Sequence, residues 1–170
     1  MSNAIRIYVA DLAAYNAGHL HGVWVDATQE FDEIHLKIAE MLEASPVLGA
    51  EEYAIHDFDG FEGYQPGEYA SLEMVHQTAC FIEENPELGG ALLAYFNDLQ
   101  AARQAMDEGY QGCFASLADY AQDLTEQAME VPQHLAAYID YQAMACDLEY
   151  GGEVFTVETG YEQVHVFTTR

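Results

Sequence analysis

The sequence predicts an α+β protein made of three small modules that follow one another along the chain. Short segments near both ends alternate apolar and polar residues, which is typical of strands, whereas the middle carries apolar residues at helical spacing. Gly, Asn and Pro residues separate these segments, and no low-complexity linker lies between them. Hydrophobic residues make up 51% of the 170 positions, enough to form folded cores. The modules are predicted at residues 1–62, 63–108 and 109–170.

The first module is predicted as a β-β-α-β unit. Residues 5–9 and 22–25 are rich in β-branched and aromatic side chains and indicate two strands, with a long loop at 11–21 between them. Apolar residues recur at helical spacing within 28–44, and Ser45-Pro46 ends that helix. Residues 52–58 predict the third strand.

The second module is predicted to be all-helical. Its first helix carries an apolar stripe formed by Leu72, Val75, Ala79 and Ile82. Asn85-Pro86 is typical of a helix start, with Asn as the N-cap, and Gly89-Gly90 would then weaken or bend that second helix. Gly109 is expected to end the last helix.

The third module is predicted to combine helices with a β-hairpin. Ser116 and Asp119 resemble a capping box at a helix start, with Asp in place of the usual Glu or Gln. Pro132 is expected to open another helix whose apolar residues face inward. The alternating segments 153–157 and 163–167 predict the hairpin. The inward-facing residues of the Pro132 helix are Leu135, Tyr138 and Ile139.

Charge is the unusual property of the chain. Thirty Asp and Glu residues stand against four Lys and Arg, which gives a formal net charge of −26. A fold loses stability through self-repulsion at such a charge, so a role outside the fold is needed to explain it. Three roles remain open: binding a strongly basic partner groove, binding cations, or adaptation to high salt. The four basic residues are Arg6, Lys37, Arg103 and Arg170.

The scattered basic residues form no patch, which argues against direct binding to nucleic acid or to an anionic membrane. Phosphate chemistry usually needs a cationic clamp, and the sequence contains no nucleophile elbow, P-loop or dinucleotide-binding motif. We therefore expect no enzyme activity and no cofactor.

Neither the cysteines nor the histidines form a recognisable metal motif, and we expect no metal site. Cys80, Cys113 and Cys146 lie far apart, which favours free thiols in a reducing cytoplasm. The acidic segment 57–62 fails the EF-hand spacing. The amino terminus does not resemble a signal peptide, and no apolar run is long enough for a membrane span, so a soluble cytoplasmic protein is expected.

The most informative acidic segment is 117–126. Leu117, Tyr120, Ala121 and Leu124 share one face of the predicted helix, and carboxylates at spacings of three and four form a row on another face. A solvated helix face would explain one such row by itself, but the acidic bias extends through the whole chain. The row consists of Asp119, Asp123, Glu126 and Glu130, and further partner-binding candidates are Asp32, Glu33, Glu40, Glu43, Glu83 and Glu84.

The total charge suits a protein that imitates DNA. B-DNA carries about one charge per 1.7 Å of axis, so a net charge of −26 corresponds to about 13 base pairs, or about 44 Å. A dimer would double that length.

Three segments, in this order, resemble the blocks of the ArdA antirestriction proteins: 6–25, 52–61 and the acidic segment 117–126. Gln127 departs from the family pattern, because the acidic run would be expected to continue there. The resemblance covers essentially the whole chain. It implies a mobile-element protein whose curved, elongated homodimer imitates bent DNA and occupies the methyltransferase core of type I restriction–modification enzymes.

The sequence leaves the dimer surface and rival functions open. The apolar segment Tyr110, Cys113, Phe114 and Ala115 is a candidate dimer interface, and a buried loop is the alternative. Rival functions are cation binding or buffering, a salt-adapted protein of unrelated function, and mimicry aimed at another DNA-binding protein.

Overall fold

The computed structural model describes residues 4–67 and 69–169. These residues form two compact units, one ending at Tyr95 and the other beginning at Phe96. Eight α-helices, one π-helical turn and two three-stranded antiparallel sheets in the described ranges establish the predicted α+β class. The finer division into three modules stays a prediction. Arg170 and the first three residues lie outside the described part.

The first unit is built on a sheet of three strands, Arg6–Asp11 (β1), Gly22–Asp26 (β2) and Tyr53–Asp59 (β3), in the order β2-β1-β3. Ile7 and Val9 of the central strand are fully buried, as are Ile34 of α2 and Val75 of α3, so the predicted apolar stripes form the core. The three predicted strands and the predicted helix α2 follow in the expected order, with an additional short helix, α1, between β1 and β2. The elements are β1 (Arg6–Asp11), α1 (Leu12–Asn16), β2 (Gly22–Asp26), α2 (Phe31–Glu43), β3 (Tyr53–Asp59) and α3 (Leu72–Glu84), and α4 (Gly89–Phe96) runs up to the boundary.

The predicted loop at 11–21 contains the short helix α1. Asp11 is buried, and its Oδ1 accepts a hydrogen bond from the backbone N–H of Ala14 at 3.1 Å, so it caps α1. The hydroxyl of Ser45 holds the pKa of Asp11 below its ordinary value, against the opposing effect of burial. This cap was missed because a five-residue helix is too short to show apolar periodicity.

The predicted helix start at Asn85 is wrong. Asn85 ends α3, because its backbone N–H and its side-chain amide both donate to the carbonyl of Phe81. The next helix begins at Gly89, so the glycine pair does not bend a helix but opens one. Both glycines are buried, and a Cβ at Gly90 would lie 2.6 Å from the Cβ of Glu62. Close packing, and not flexibility, therefore explains the pair.

The second unit is built on a sheet of three strands, Tyr110–Phe114 (β4), Val154–Gly160 (β5) and Gln163–Thr168 (β6), in the order β4-β6-β5. Tyr120, Val154 and Val166 form its core cluster, and the predicted hairpin is present as β5 and β6. The π-helical turn Ala105–Gly109 ends at Gly109, as predicted. The elements are α5 (Leu99–Gln104), β4 (Tyr110–Phe114), α6 (Leu117–Ala128), α7 (Gln133–Ala136), α8 (Tyr141–Tyr150), β5 (Val154–Gly160) and β6 (Gln163–Thr168).

The helix expected after Pro132 is only the single turn α7, and its predicted inward face is wrong. Leu135 is 48% exposed and Tyr138 is 84% exposed, while Ile139 is half-buried. The segment cannot continue as a helix because Asp140 caps α8, its Oδ1 accepting from the backbone N–H of Ala143 at 3.0 Å. A single helical turn is too short to direct a stripe of apolar residues toward a core.

Candidate partner-binding surface

Helix α6 places the predicted acidic row in solvent. Asp119, Asp123 and Glu126 are exposed on the helix, while Tyr120 and Ala121 are buried on its other face. Glu130 is also exposed but follows the helix, which ends at Ala128. Carboxylates at spacings of three and four lie about 5–6 Å apart at Cβ, so the row is a dense line of negative charge.

Neutral side chains donate hydrogen bonds to the three carboxylates that lie on the helix. The Ser116 hydroxyl donates to Asp119 Oδ2 at 2.6 Å, and Ser116 Oγ accepts from the backbone N–H of Asp119 at 3.2 Å, which confirms the predicted helix start. The amide of Gln122 donates to Glu126 Oε1 at 2.8 Å, and Gln127 donates to Asp123 Oδ2 at 2.6 Å. Gln127, the departure from the family pattern, thus orients an acid without cancelling its charge.

Asp123 also acts on the core beneath it. Burial and the nearby carboxylate of Asp123 together raise the pKa of Tyr120, with burial the larger cause. Both causes disfavour a tyrosinate, because a second negative charge would be placed in a poorly solvated position beside the first.

The acidic residues of α2 and α3 are exposed as well, but the helix dipole favours only some of them. Asp32 and Glu33 lie in the first turn of α2, where the helix dipole favours negative charge. Glu40 and Glu43 lie toward the other end, where the same dipole disfavours it. Helix stability therefore accounts for part of this acidic surface and leaves the rest unexplained. Glu83 and Glu84, the last two residues of α3, are exposed in the same unfavourable position.

The described cations do little to offset this charge. Arg6 forms an ion pair with Asp59, with its Nη2 2.5 Å from Oδ2. Lys37 donates to the neutral side chain of Gln29 at 2.6 Å, and Arg103 lies in the last turn of α5, where it suits the helix dipole.

Three of the four candidate dimer residues belong to an edge strand, β4, and the alternative of a buried loop is wrong. Strand β4 pairs only with β6 in its sheet, which leaves its other edge without a strand among the described residues. Tyr110 and Cys113 are exposed, Phe114 is half-buried, and Ala115 follows the strand in an exposed position. The Tyr110 hydroxyl is 2.9 Å from Nδ1 of His165, and partial desolvation of the phenol, together with nearby Cys113, raises the pKa of Tyr110.

Sequence reasoning missed an aromatic pair on the first sheet. Tyr8 of β1 and Trp24 of β2 are directly opposite in the strand register, and their ring centroids are 5.4 Å apart. The alternation of both strands would have placed each ring on the outward face, but it could not show that the two strands pair.

The described residues contain no group of three or more His, Cys, Asp or Glu side chains placed to hold a metal ion. No helix within the described ranges combines the length and apolar character needed to cross a membrane.

Comparison with known proteins gives one family. A family model described as "Antirestriction protein (ArdA)" matches residues 7–163, nearly the whole chain. No curated protein matches the chain.

Proposed function

The chain belongs to the ArdA family of antirestriction proteins, and we propose that it acts as a DNA mimic that occupies the DNA-binding groove of type I restriction–modification enzymes. The observation that carries this proposal is the exposure of all ten predicted carboxylates combined with the near absence of cations to neutralise them. The partner surface would be the methyltransferase core, where Lys and Arg side chains ordinarily hold phosphates.

The mechanism is competitive occupancy without chemistry. Carboxylates on α2, α3 and α6 take the places of phosphates, and the enzyme's cations lose their bound anions when the complex forms. Such contacts weaken as salt rises, because charges at a protein surface are screened over about 10 Å at 0.1 M salt. We expect inhibition to take place in the cytoplasm of the host cell, because the DNA on which these enzymes act lies there.

Affinity is distributed over many contacts. An exposed ion pair contributes about 0–1 kcal/mol, so no single carboxylate is expected to decide binding. The family's antirestriction role and the amount of charge, equivalent to about 13 base pairs per chain, both support a mimic that covers an extended groove.

A homodimer formed through the β4 edge would double that length. An edge strand presents backbone N–H and C=O groups that a second copy can pair with, and β4 carries neither Lys nor Pro to prevent this. Cys113 provides a test, because two β4 strands that meet would bring two exposed thiols within reach of a short bismaleimide. We expect a cross-linked dimer that Cys113→Ser abolishes, and a Cys113→Ser protein that cross-links equally well would exclude this surface.

The deciding experiment is competition for a type I methyltransferase core. A fluorescent target duplex is bound to the core, the protein is titrated in, and displacement is measured at low and moderate salt. Stoichiometric displacement that weakens with salt is expected, and its absence with an active enzyme would overturn the proposal.

Two matched triple variants then test whether the contacts are distributed. One variant neutralises Asp119, Asp123 and Glu126 of α6, and the other neutralises Asp32, Glu33 and Glu40 of α2. Each removes three negative charges, and each is expected to weaken displacement by a comparable factor. Complete loss in one variant with no effect in the other would replace distributed mimicry with a single local site.

A further inference from the structure

The outward face of the first sheet combines aromatic rings with carboxylates. Tyr8 is directly opposite Trp24 on β2 and Asp57 on β3, and Arg6 is opposite Asp26 and Asp59 in the same way. Side chains alternate between the faces of a sheet, so these residues lie on the face opposite the buried Ile7 and Val9. We call this set (Arg6, Tyr8, Trp24, Asp26, Asp57 and Asp59) the Trp24 platform.

The two rings of the platform are close together, and the Trp24 ring is accessible while Tyr8 is half-buried. The Tyr8 and Trp24 rings are inclined at 51°, and Trp24 is 43% exposed. Gly22 makes room for this arrangement, because a Cβ there would lie 2.7 Å from the Tyr8 hydroxyl. Exposure of a tryptophan ring beside a tyrosine ring to water is unfavourable, and such rings are enriched at protein interfaces, where they act as anchors.

The chain's own Arg6 shows which chemical group suits the platform. The guanidinium carbon of Arg6 lies 5.4 Å from the centroid of the Trp24 ring, and Nη2 of Arg6 donates a hydrogen bond to Asp59. A guanidinium can therefore meet an aromatic face and a carboxylate here at the same time. Arg6 is itself exposed, with 48% of its side-chain surface in solvent, so this position is open to competition from outside.

Two further carboxylates extend the site beyond Arg6. Asp26 is held in place by the backbone N–H and the hydroxyl of Thr28, which donate to its Oδ1 at 2.9 and 2.8 Å. The exposed Asp57 accepts from the backbone N–H of Phe58 at 2.8 Å. These bonds hold negative charge near the ring pair before any partner arrives, with Asp57 opposite Tyr8 and Asp26 two residues after Trp24.

We propose that the Trp24 platform is a docking site for an arginine side chain presented by a basic protein surface. The guanidinium stacks on the Trp24 ring in place of Arg6 and pairs with Asp59, the carboxylate that Arg6 releases, while Asp26 and Asp57 add negative charge nearby. Arginine suits the site better than lysine because its planar, weakly hydrated group stacks on rings and bonds carboxylates in a fork. Aromatic platforms also stack nucleobases, but those sites lie in cationic grooves, whereas three carboxylates here would repel a phosphate backbone.

The identity of the partner rests on the proposed function, since a groove that holds DNA phosphates is rich in arginine. The platform adds one anchored contact to an otherwise distributed acidic surface. It predicts that a neutral aromatic residue, and not an acid, is the single side chain whose loss weakens binding most.

The platform can be tested without the restriction enzyme, because Trp24 is the only tryptophan of the chain. A nonamer of arginine and a nonamer of lysine are titrated into the protein while Trp24 emission is recorded. We expect a saturable change in emission with the arginine peptide, and binding about two- to fivefold tighter than for the lysine peptide. Binding measured by calorimetry that leaves Trp24 emission unchanged, or no binding at all, would overturn the inference.

Arg6→Gln and Lys37→Gln form a matched pair, because each removes one positive charge from the first unit. If Arg6 competes for the ring, Arg6→Gln tightens arginine-peptide binding by about two- to fivefold more than Lys37→Gln does. Equal effects of the two variants would show that only net charge matters, and would contradict the stacked geometry.

The same site is then tested in displacement of DNA from the methyltransferase core. Trp24→Leu should raise the concentration of protein needed for half-displacement at least about fivefold, because an aromatic anchor contributes strongly to binding. Tyr161, whose side chain is 90% exposed, provides the control, and Tyr161→Ala should leave that concentration unchanged. Wild-type displacement with an unaffected Trp24→Leu would overturn the inference and leave the proposed function standing. Failure of the wild type to displace DNA, with Trp24 still responding to the arginine peptide, would overturn the proposed function alone.

Discussion

The acidic row of α6 leads to a prediction in which stability and function respond in opposite directions. Asp123 lies in the middle of the row, four residues after Asp119 and three before Glu126. Like charges at these spacings destabilise a helix by about 0.2–0.5 kcal/mol per pair, so Asp123→Asn, which removes two pairs, should stabilise the protein by about 0.4–1 kcal/mol. The Asn side chain still offers an oxygen to the amide of Gln127, so the hydrogen bond survives.

Asp119→Asn is the matched control, because it makes the same chemical change at the other end of the row. Asp119 lies in the first turn of α6, where a negative charge contributes about 0.3–1 kcal/mol through the helix dipole. Removing it costs that contribution and relieves only one like-charge pair, so the net change falls between a gain of about 0.2 and a loss of about 0.8 kcal/mol. Asp123→Asn must therefore be the more stable of the two variants.

Thermal unfolding followed by circular dichroism at low salt measures this difference. For a chain of this size, about 1 kcal/mol shifts Tm by roughly 2–4 °C, so Asp123→Asn should unfold about 1–4 °C above the wild type. The gain should shrink at 1 M salt, where charges are screened over about 3 Å. In DNA displacement the same variant should be weaker than the wild type by no more than about fivefold, the equivalent of one exposed ion pair.

A lower Tm for Asp123→Asn would refute this reasoning. It would mean that the carboxylate stabilises α6, through Gln127 or otherwise, and that the acidic row is explained by the fold. A single substitution in the row that abolished displacement would equally contradict a distributed mimic.

Three further predictions concern the fold. Tyr120→Phe should reduce the loss of stability in alkali. Because the pKa of Tyr120 is raised in the folded state, its contribution to the free energy of unfolding is intact below the ordinary pKa of 10.0 and is lost as pH rises through the folded pKa. Urea unfolding across alkaline pH measures this, and an unchanged pH dependence would contradict it. Asp11→Asn should weaken the fall in the free energy of unfolding at acid pH. Because the pKa of Asp11 is lowered in the folded state, its stabilising contribution is present above the ordinary pKa of 3.8 and is lost as pH falls through the folded pKa. The same acid dependence in the two proteins would exclude this role. Gly90→Ala should destabilise the protein by about 1–3 kcal/mol in urea unfolding, since the new methyl group would meet Glu62 at 2.6 Å, and a neutral result would show that the segment yields easily.

The cost of the acidic surface to the fold is visible along the helices. Acids in the first turns of α2 and α6 agree with the helix dipole, but Glu43 and Glu84 occupy last positions where a cation would be favoured. Selection for stability alone would remove those charges. Their presence, together with the exposed Trp24, is consistent with the proposed binding to a basic partner.

Features that depend on neighbours along the chain could be predicted from the sequence. The stripes of α2 and α3, the Ser116 cap of α6, the closing hairpin and the exposure of the acidic row follow from local periodicity, capping chemistry and charge, and each is present as predicted. The net charge needs no structure at all. Together these local features were enough to indicate the α+β class and an exposed acidic surface.

Features that depend on contacts between distant residues were decided only by the tertiary structure. Strand β4 exists because it pairs with β6, about fifty residues further along the chain, and its short segment has no periodicity of its own. Asn85 looks like a cap for the following helix, but the carbonyl of Phe81 is available to it and makes it the end of α3. Tyr8 and Trp24 meet because β1 and β2 pair in one register out of several that the sequence allows. Local patterns fix which face of an element is apolar, whereas the choice of partner is a competition among non-local contacts that only the packed chain resolves.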